Sequence, residues 1–486
     1  MNTRTEIAQA AHPPLARGLR PSTVQPPSNG RPPKLRHSLW SIIIVATILG
    51  YLALSRAFAY LGIISLNIFV GEVVLGGALL SGKLAIGRRW VRSIKPQDPL
   101  QHVAITMALF LGYGFFEEAR GLSAGYPTGF TLKNLAFNYY PIYIWLGLWL
   151  GGRDVDMLRR IIRLSAWING VYGLSYLLVL GQAALYQAGT KDVPFFGQPT
   201  SYITLLGLLC FEPRLRSVWH LLVMNTVVLL GVQVRGEWVA FLVALFVLGF
   251  YGKRLGNVFA GILACGSLLA LGYWADISIP APLNRGGVIS TRAIISRALA
   301  PIDPALAAEY SENADFYAGT YDWRTVWWNA IWKDVNSNGS TMVFGRGYGY
   351  PVYALSPEVL AEDVRTPHSW FWYSLSYGGW AGVFAFSAFQ LALGAALFRN
   401  ARRTRQYYGF ALWCGAMING LFGSTFDAPF GCIPLYILFG MTLSNAEISP
   451  SAILGTLRRT RRRQYTFRRA RAANAGSIGW SPAPLA

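Results

Sequence analysis

Apolar runs of 12 to 30 residues recur along the whole chain, each bounded by short segments carrying Lys, Arg, Gly or Pro. Twelve stand out: 39–58, 59–80, 100–116, 135–150, 161–180, 200–211, 218–234, 238–251, 258–274, 369–398, 408–422 and 429–443. A helix rises 1.5 Å per residue, so about 20 such residues cross the hydrocarbon of a bilayer. The pattern predicts an all-α polytopic membrane protein with about twelve transmembrane helices.

The polar segments between the runs bear on that expectation, because cytoplasmic loops of membrane proteins carry the excess of Lys and Arg. With the amino terminus inside, every inner segment is basic: Arg31, Lys34 and Arg36, then Lys83 to Lys95, Arg153 to Arg163, Arg214 and Arg216, Lys253 and Arg254, Arg399 to Arg405, and the tail "RRTRRRQYTFRRAR". Both termini are thus expected in the cytoplasm. Residues 1–38 read as a disordered basic tail, because this Pro-rich segment has neither an apolar h-region nor a cleavage site. The remaining expected divisions are helices one to nine over 39–274, a large outer loop over 275–367, helices ten to twelve over 368–446, and a second basic tail over 447–486.

Composition agrees with this reading. The chain has 486 residues, 53% hydrophobic and 13% charged, with 17 Trp and a net charge of +21. So basic a chain can bind nucleic acid, but here the charge is explained by inner loops and tails facing anionic headgroups, so no nucleic-acid partner is expected. Cys210, Cys265, Cys414 and Cys432 all fall in apolar runs with no CxxC spacing, which indicates packing residues and neither a disulfide framework nor a zinc site.

The outer loop carries ten acidic and seven basic residues, so its arginines stand apart from the general basic bias. "TRAIISRALAPI" and "DWRTVWWNAIWKDV" have helical spacing, the second with Asp322 as a plausible N-cap. His368, in "RTPHSWFWYSLSYGGW", lies where this loop meets the tenth run. Histidine is the side chain whose unperturbed pKa lies near neutrality, which suits it to take a proton from a hydroxyl. The alternative is an interfacial ring in an aromatic belt. His12 and His37 lie in the tail, and His102 and His220 at inner helix starts.

Arg235, in "GVQVRGEW", is expected at an outer hairpin, either paired with Glu237 or acting as an anion clamp; Arg324, Arg346 and Arg365 are further candidates. A guanidinium offers phosphate a planar, permanently charged fork. Trp323, Trp327, Trp328 and Tyr348 are candidate platforms for a sugar or acceptor, against the simpler reading of an aromatic belt. "GRGYGYP" supplies glycines that let a backbone approach a ligand closely. Asp154 and Asp156 form a DxD pattern that the adjacent arginines explain as local charge pairing. Glu72 is the clearest carboxylate within an apolar run and has no assigned role.

The order of these features resembles the O-antigen ligase and polysaccharide polymerase superfamily: about twelve helices, "VRGEW", one large outer loop with "DWRTVWWNAI" and "GRGYG", then "PHSWFWYSLSYGGWAG". The family pattern there is His-Asn, an apolar run and Gly-x-x-Gly, and this chain has Ser369 in place of the Asn. The resemblance implies a GT-C-like fold in a bacterial inner membrane with its active site on the periplasmic side. It also implies a glycosyltransferase that moves a glycan from undecaprenyl diphosphate to a lipid-anchored or surface acceptor such as lipid A core, with no metal or other cofactor. His368 would be its catalytic residue, and Arg235 and Arg324 would bind diphosphate. A polysaccharide polymerase, a protein O-oligosaccharyltransferase and a twelve-helix transporter or flippase are the alternatives.

Overall fold

The computed structural model describes residues 39–62, 68–81, 86–96, 98–152, 156–186, 194–212, 214–253, 255–283, 287–355 and 366–444. Both tails, Arg365, Asp154 and Lys83 lie outside them. Many of the apolar runs are broken or short. The first becomes α1 (Leu39–Leu54) and a single turn, α2 (Arg56–Ala59), and only α3 (Val70–Leu80) of the second is helical. After the basic α4 (Ile86–Ser93) and the long α5 (Gln101–Ser123), Pro141 introduces a 3₁₀ turn, Tyr140–Ile142, that divides α6 (Thr128–Tyr139) from α7 (Tyr143–Gly151). Next come α8 (Met157–Leu178), α9 (Ser201–Phe211), α10 (Trp219–Gly231), α11 (Arg235–Gly252) and α12 (Leu255–Trp274).

The 275–367 segment holds a two-stranded antiparallel hairpin, β1 (Ser278–Pro280) and β2 (Val288–Ser290), with Ile279 opposite Ile289. It continues with α13 (Thr291–Leu299), α14 (Pro304–Ala308), α15 (Ala314–Val335) and α16 (Gly339–Phe344). Asp322 is inside α15, which starts eight residues earlier after Asn313, so the expected cap falls in a helix interior. The chain ends its described course with α17 (Trp370–Thr404), α18 (Tyr408–Phe422) and α19 (Pro429–Ser444).

These lengths correct the twelve-span expectation. By length and composition, three helices among the described residues are long and apolar enough to cross a membrane: Arg235–Gly252, Leu255–Trp274 and Trp370–Thr404. Six other apolar helices have 10–17 residues, short of the ~20 needed. α5 and α8 have the length but carry Glu117, Glu118 and Arg120, and Arg159, Arg160 and Arg163. The misleading signal has a physical reason: a short helix that is apolar all round is also what a protein core produces. In α7 and α9 nearly every residue is buried, and in α19 Pro429 and all of Cys432–Ser444 are.

A GT-C-like polytopic enzyme is accordingly not the architecture found. The expectations that required it are withdrawn: ligase-type or polymerase transfer from undecaprenyl diphosphate, lipopolysaccharide biosynthesis, protein O-glycosylation and a twelve-helix transporter or flippase. So are the bilayer, the lipid-linked donor and the glycolipid or glycan acceptor as partners, and a multi-pass inner-membrane location with a periplasmic site.

Two close backbone approaches set the frame of the bundle. α7 and α19 meet at Gly147 and Gly440, where a methyl group on either would collide with the Ile437 or Ile144 carbonyl of the opposite helix. The second approach involves the glycines of "GRGYG". α17 is interrupted at Gly379 (φ 59, ψ −160), and the break leaves carbonyls without helical donors. The 345–349 loop fills it: Arg346 N donates to Ser376 O (3.0 Å) and Gly347 N to Tyr377 O (2.9 Å), while the Tyr113 hydroxyl donates to Gly378 O (2.6 Å). A Cβ on Gly345 or Gly379 would lie 2.5 Å from backbone atoms of the other segment. These glycines therefore seat backbone on backbone. Arg120 fastens the same loop by donating to Phe344 O (2.5 Å) and Gly345 O (3.1 Å) while paired with the buried Glu117 (2.6 Å).

Candidate functional site

Three elements converge on His368. Pro367 and Ser369 flank it in the turn before α17, and His368 itself has a left-handed backbone (φ 51). That conformation is costly for a residue with a Cβ and persists only where its surroundings enforce it. α15 contributes Trp323, whose ring meets the imidazole edge-on at 6.2 Å, and Arg324, whose Nη1 donates to Phe422 O at 2.9 Å. The third element, the loop between α18 and α19, places the Ser424 hydroxyl 2.8 Å from His368 Nδ1. Thr366 Oγ1 lies 3.2 Å from the same hydroxyl.

Asp427 completes the arrangement. Both its carboxylate oxygens are buried and stop short of a full hydrogen bond, with the hydroxyls of Thr366 and Ser424 as near neighbours. Burial raises its pKa to about 6, against the lowering effect of those hydroxyls. Burial also lowers the His368 imidazole to about 3, with the positive charges of Arg324 and then Arg56 acting in the same direction. Part of the His368 residue remains open to solvent, which limits the size of that depression but not its direction. At pH 7, then, His368 is neutral and Asp427 is mostly ionised.

These charge states favour one tautomer of His368. An ionised carboxylate only accepts hydrogen bonds, so Asp427 as a near neighbour favours the orientation in which the Ser424 proton points toward it. Ser424 Oγ then turns a lone pair to His368 and accepts from Nδ1–H. Nε2 is left as the unprotonated nitrogen, and it has no hydrogen-bond partner among the described residues. Ser369, which stands where the family pattern has Asn, makes no contact that orients the ring: its Oγ is buried without a hydrogen-bond partner among the described residues. Ser424 supplies the contact instead.

The other predicted residues are distributed more widely. Arg235 donates to Arg297 O (3.3 Å) and Tyr317 O (3.2 Å), and the Arg297 guanidinium lies 4.0 Å from the centre of the Tyr317 ring. Tyr317 precedes Arg324 by seven residues on α15, a rise of about 10 Å, so Arg235 belongs to a neighbouring cluster. Arg346 forms a two-point ion pair with Asp334, Nε to Oδ2 at 3.0 Å and Nη2 to Oδ1 at 2.6 Å. Trp327 is fully buried and donates to Val352 O (2.9 Å); Tyr348 is buried with its hydroxyl on Asn138 Oδ1. Trp328 donates to Pro367 O (2.9 Å) beside His368. Glu72 accepts from Tyr140 (2.7 Å), Tyr139 (3.1 Å) and the Phe69 amide at the start of α3, which makes it a helix-capping carboxylate.

Sequence reasoning did not single out Ser424, Asp427, Thr366 or Arg56. The signal available was an Asp in the short "GSTFDAP" between two apolar runs, which reads equally well as turn chemistry. Among the described residues, no three His, Cys, Asp or Glu side chains group as possible metal ligands. No family model matches the chain, and no curated protein matches it either.

Proposed function

We propose that the protein is an enzyme in which neutral His368 acts through Nε2 as a general base. It takes a proton from a hydroxyl or water that attacks an ester-type centre of an anionic substrate, and the bond to the leaving group breaks with its electron pair departing on that group, as p-nitrophenolate does from the probes below. The observation that carries this reading is the placement of Ser424 Oγ 2.8 Å from His368 Nδ1 with the buried Asp427 carboxylate as its neighbour, an arrangement that favours an unprotonated Nε2. The positive field of Arg324 and Arg56 around the ring supports two parts of the reading. It keeps the base unprotonated, and it offers an electrostatic seat for a substrate anion and for charge that develops during attack. Trp323, edge-on to the ring, supplies an apolar wall.

Kinship with the O-antigen ligase and polymerase superfamily stays part of this proposal on the order of the sequence motifs alone, and it brings no substrate with it. The test is hydrolysis of p-nitrophenyl probes bearing a phosphodiester or a carboxylate. Wild-type protein should turn over at least one anionic probe faster than its neutral counterpart, and His368→Gln should lose about 100-fold or more of that rate. Equal rates for the two proteins would refute the assignment of His368.

A further inference from the structure

His368 faces a conformational problem that its contacts with Ser424 do not solve. At φ 51 its backbone is left-handed, a state that a non-glycine residue populates at a disadvantage of order tenfold. The torsion in question is the N–Cα bond of His368, and it relaxes if the chain on either side of that bond turns. On the carboxyl side the chain is fixed at once, because Ser369 O accepts from Tyr373 N (2.8 Å) and α17 begins at Trp370. On the amino side Pro367 has no N–H to anchor it. Its carbonyl is the group that swings when φ of His368 relaxes, and Trp328 Nε1 donates to that oxygen at 2.9 Å.

The indole is itself rigidly held. Trp328 lies on α15 and stacks on Trp372 of α17, with ring centres 5.8 Å apart and planes 20° from parallel. Nε1–H thus reaches back from one helix to the turn that precedes the other. We infer that Trp328 is a positioning residue: its indole N–H clamps Pro367 O and so holds His368 in the left-handed conformation that points its ring at Ser424. This rests on the general-base reading of His368 and assigns Trp328 a task separate from contact with substrate.

The experiment replaces Trp328 with Phe, which keeps an aromatic ring for stacking but has no donor, and with the benzothienyl analogue of tryptophan, which exchanges only N–H for sulfur. Trp372→Phe serves as a control that alters the stack and leaves the donor. Imidazole ¹⁵N spectra, with the His368 resonances identified from His368→Gln, report both tautomer and titration. In the wild type and Trp372→Phe, His368 should be the Nδ1–H tautomer at pH 8, where Asp427 is ionised, and its imidazole should remain neutral down to pH 5. In both Trp328 variants it should become a mixture of tautomers and titrate at least one pH unit higher, toward the ordinary value.

If the Trp328 variants match a wild type that behaves as stated, the clamp is refuted and the general-base reading stands. A wild type that is already the Nε2–H tautomer overturns that reading instead. The analogue leaves the size and shape of the side chain unchanged, so a folding failure of Trp328→Phe does not remove the test.

Discussion

Asp427→Asn is the most demanding perturbation of the proposed relay, because it changes one charge and almost no volume. The carboxamide supplies donors where the carboxylate only accepted. Its NH₂ can donate to Ser424 Oγ, and the serine proton then turns to His368 Nδ1, 2.8 Å away. Nε2 consequently becomes the protonated nitrogen, and the base is lost without loss of the imidazole. A general base contributes about 100- to 10,000-fold, equivalent to about 2.7 to 5.5 kcal/mol of barrier, and the substitution should remove most of it. The wild-type pH profile follows from the same chain. Protonation of Asp427 near pH 6 has the same effect as the Asn, so activity should fall as pH drops through about 6 although His368 itself titrates far lower. The assay is probe hydrolysis from pH 4.5 to 8.5. An Asp427→Asn protein that keeps the acid limb near pH 6 and a rate within threefold of wild type would refute the relay.

Three further outcomes follow. The Asp427 pKa is raised on folding from the ordinary 3.8 to about 6, so its contribution favours the fold below the unfolded pKa and is lost as pH rises through about 6. Asp427→Asn should therefore raise the unfolding midpoint at pH 8, by an equivalent of at most about 3 kcal/mol, and change it little at pH 4, measured by circular dichroism at both pH values. Gly379→Ala should destabilise the protein by about 3 kcal/mol or more, since its Cβ would meet the Val343 carbonyl and Gly345 N at 2.5 Å and its φ is left-handed; denaturant unfolding checks it, and a loss below about 1 kcal/mol would contradict the packing described for the loop. Arg346→Ala breaks an ion pair whose side chains are 28% and 15% exposed. It should cost about 1 kcal/mol of stability and leave probe hydrolysis within threefold, whereas loss of turnover with normal stability would place Arg346 in the substrate site.

The helices were legible in the sequence to a degree that depended on what competed with their apolar signal. The run at 408–422 matches α18 (Tyr408–Phe422), and that at 200–211 differs from α9 (Ser201–Phe211) by one residue. The number of spans was not legible, because hydropathy alone does not distinguish a helix buried by protein, such as α7, from one facing lipid. Breaks such as Pro141 were visible, but the runs around them were apolar enough to hide them.

At the site, His368 could be singled out by residue type and setting, and the structure places Arg324 and Trp323 of the preceding segment beside it. Its partners could not, because Ser424 is 56 residues away and nothing local distinguishes Asp427 from a turn residue. The ion pair of Arg346 with Asp334, 12 residues earlier, is not legible in the sequence, because the turn between α15 and α16 brings the two together. The glycines of "GRGYG" do serve close backbone approach, and the backbone they admit is that of α17.

The central claim is that the His368 imidazole moves the proton in catalysis, and chemical rescue tests it most directly. His368→Ala should be inactive on the anionic probe that wild-type protein hydrolyses, and added free imidazole should restore turnover in proportion to the concentration of its neutral form. A His368→Ala protein that remains as active as wild type, or that stays inactive at every imidazole concentration while folding normally and binding the probe, would contradict the account.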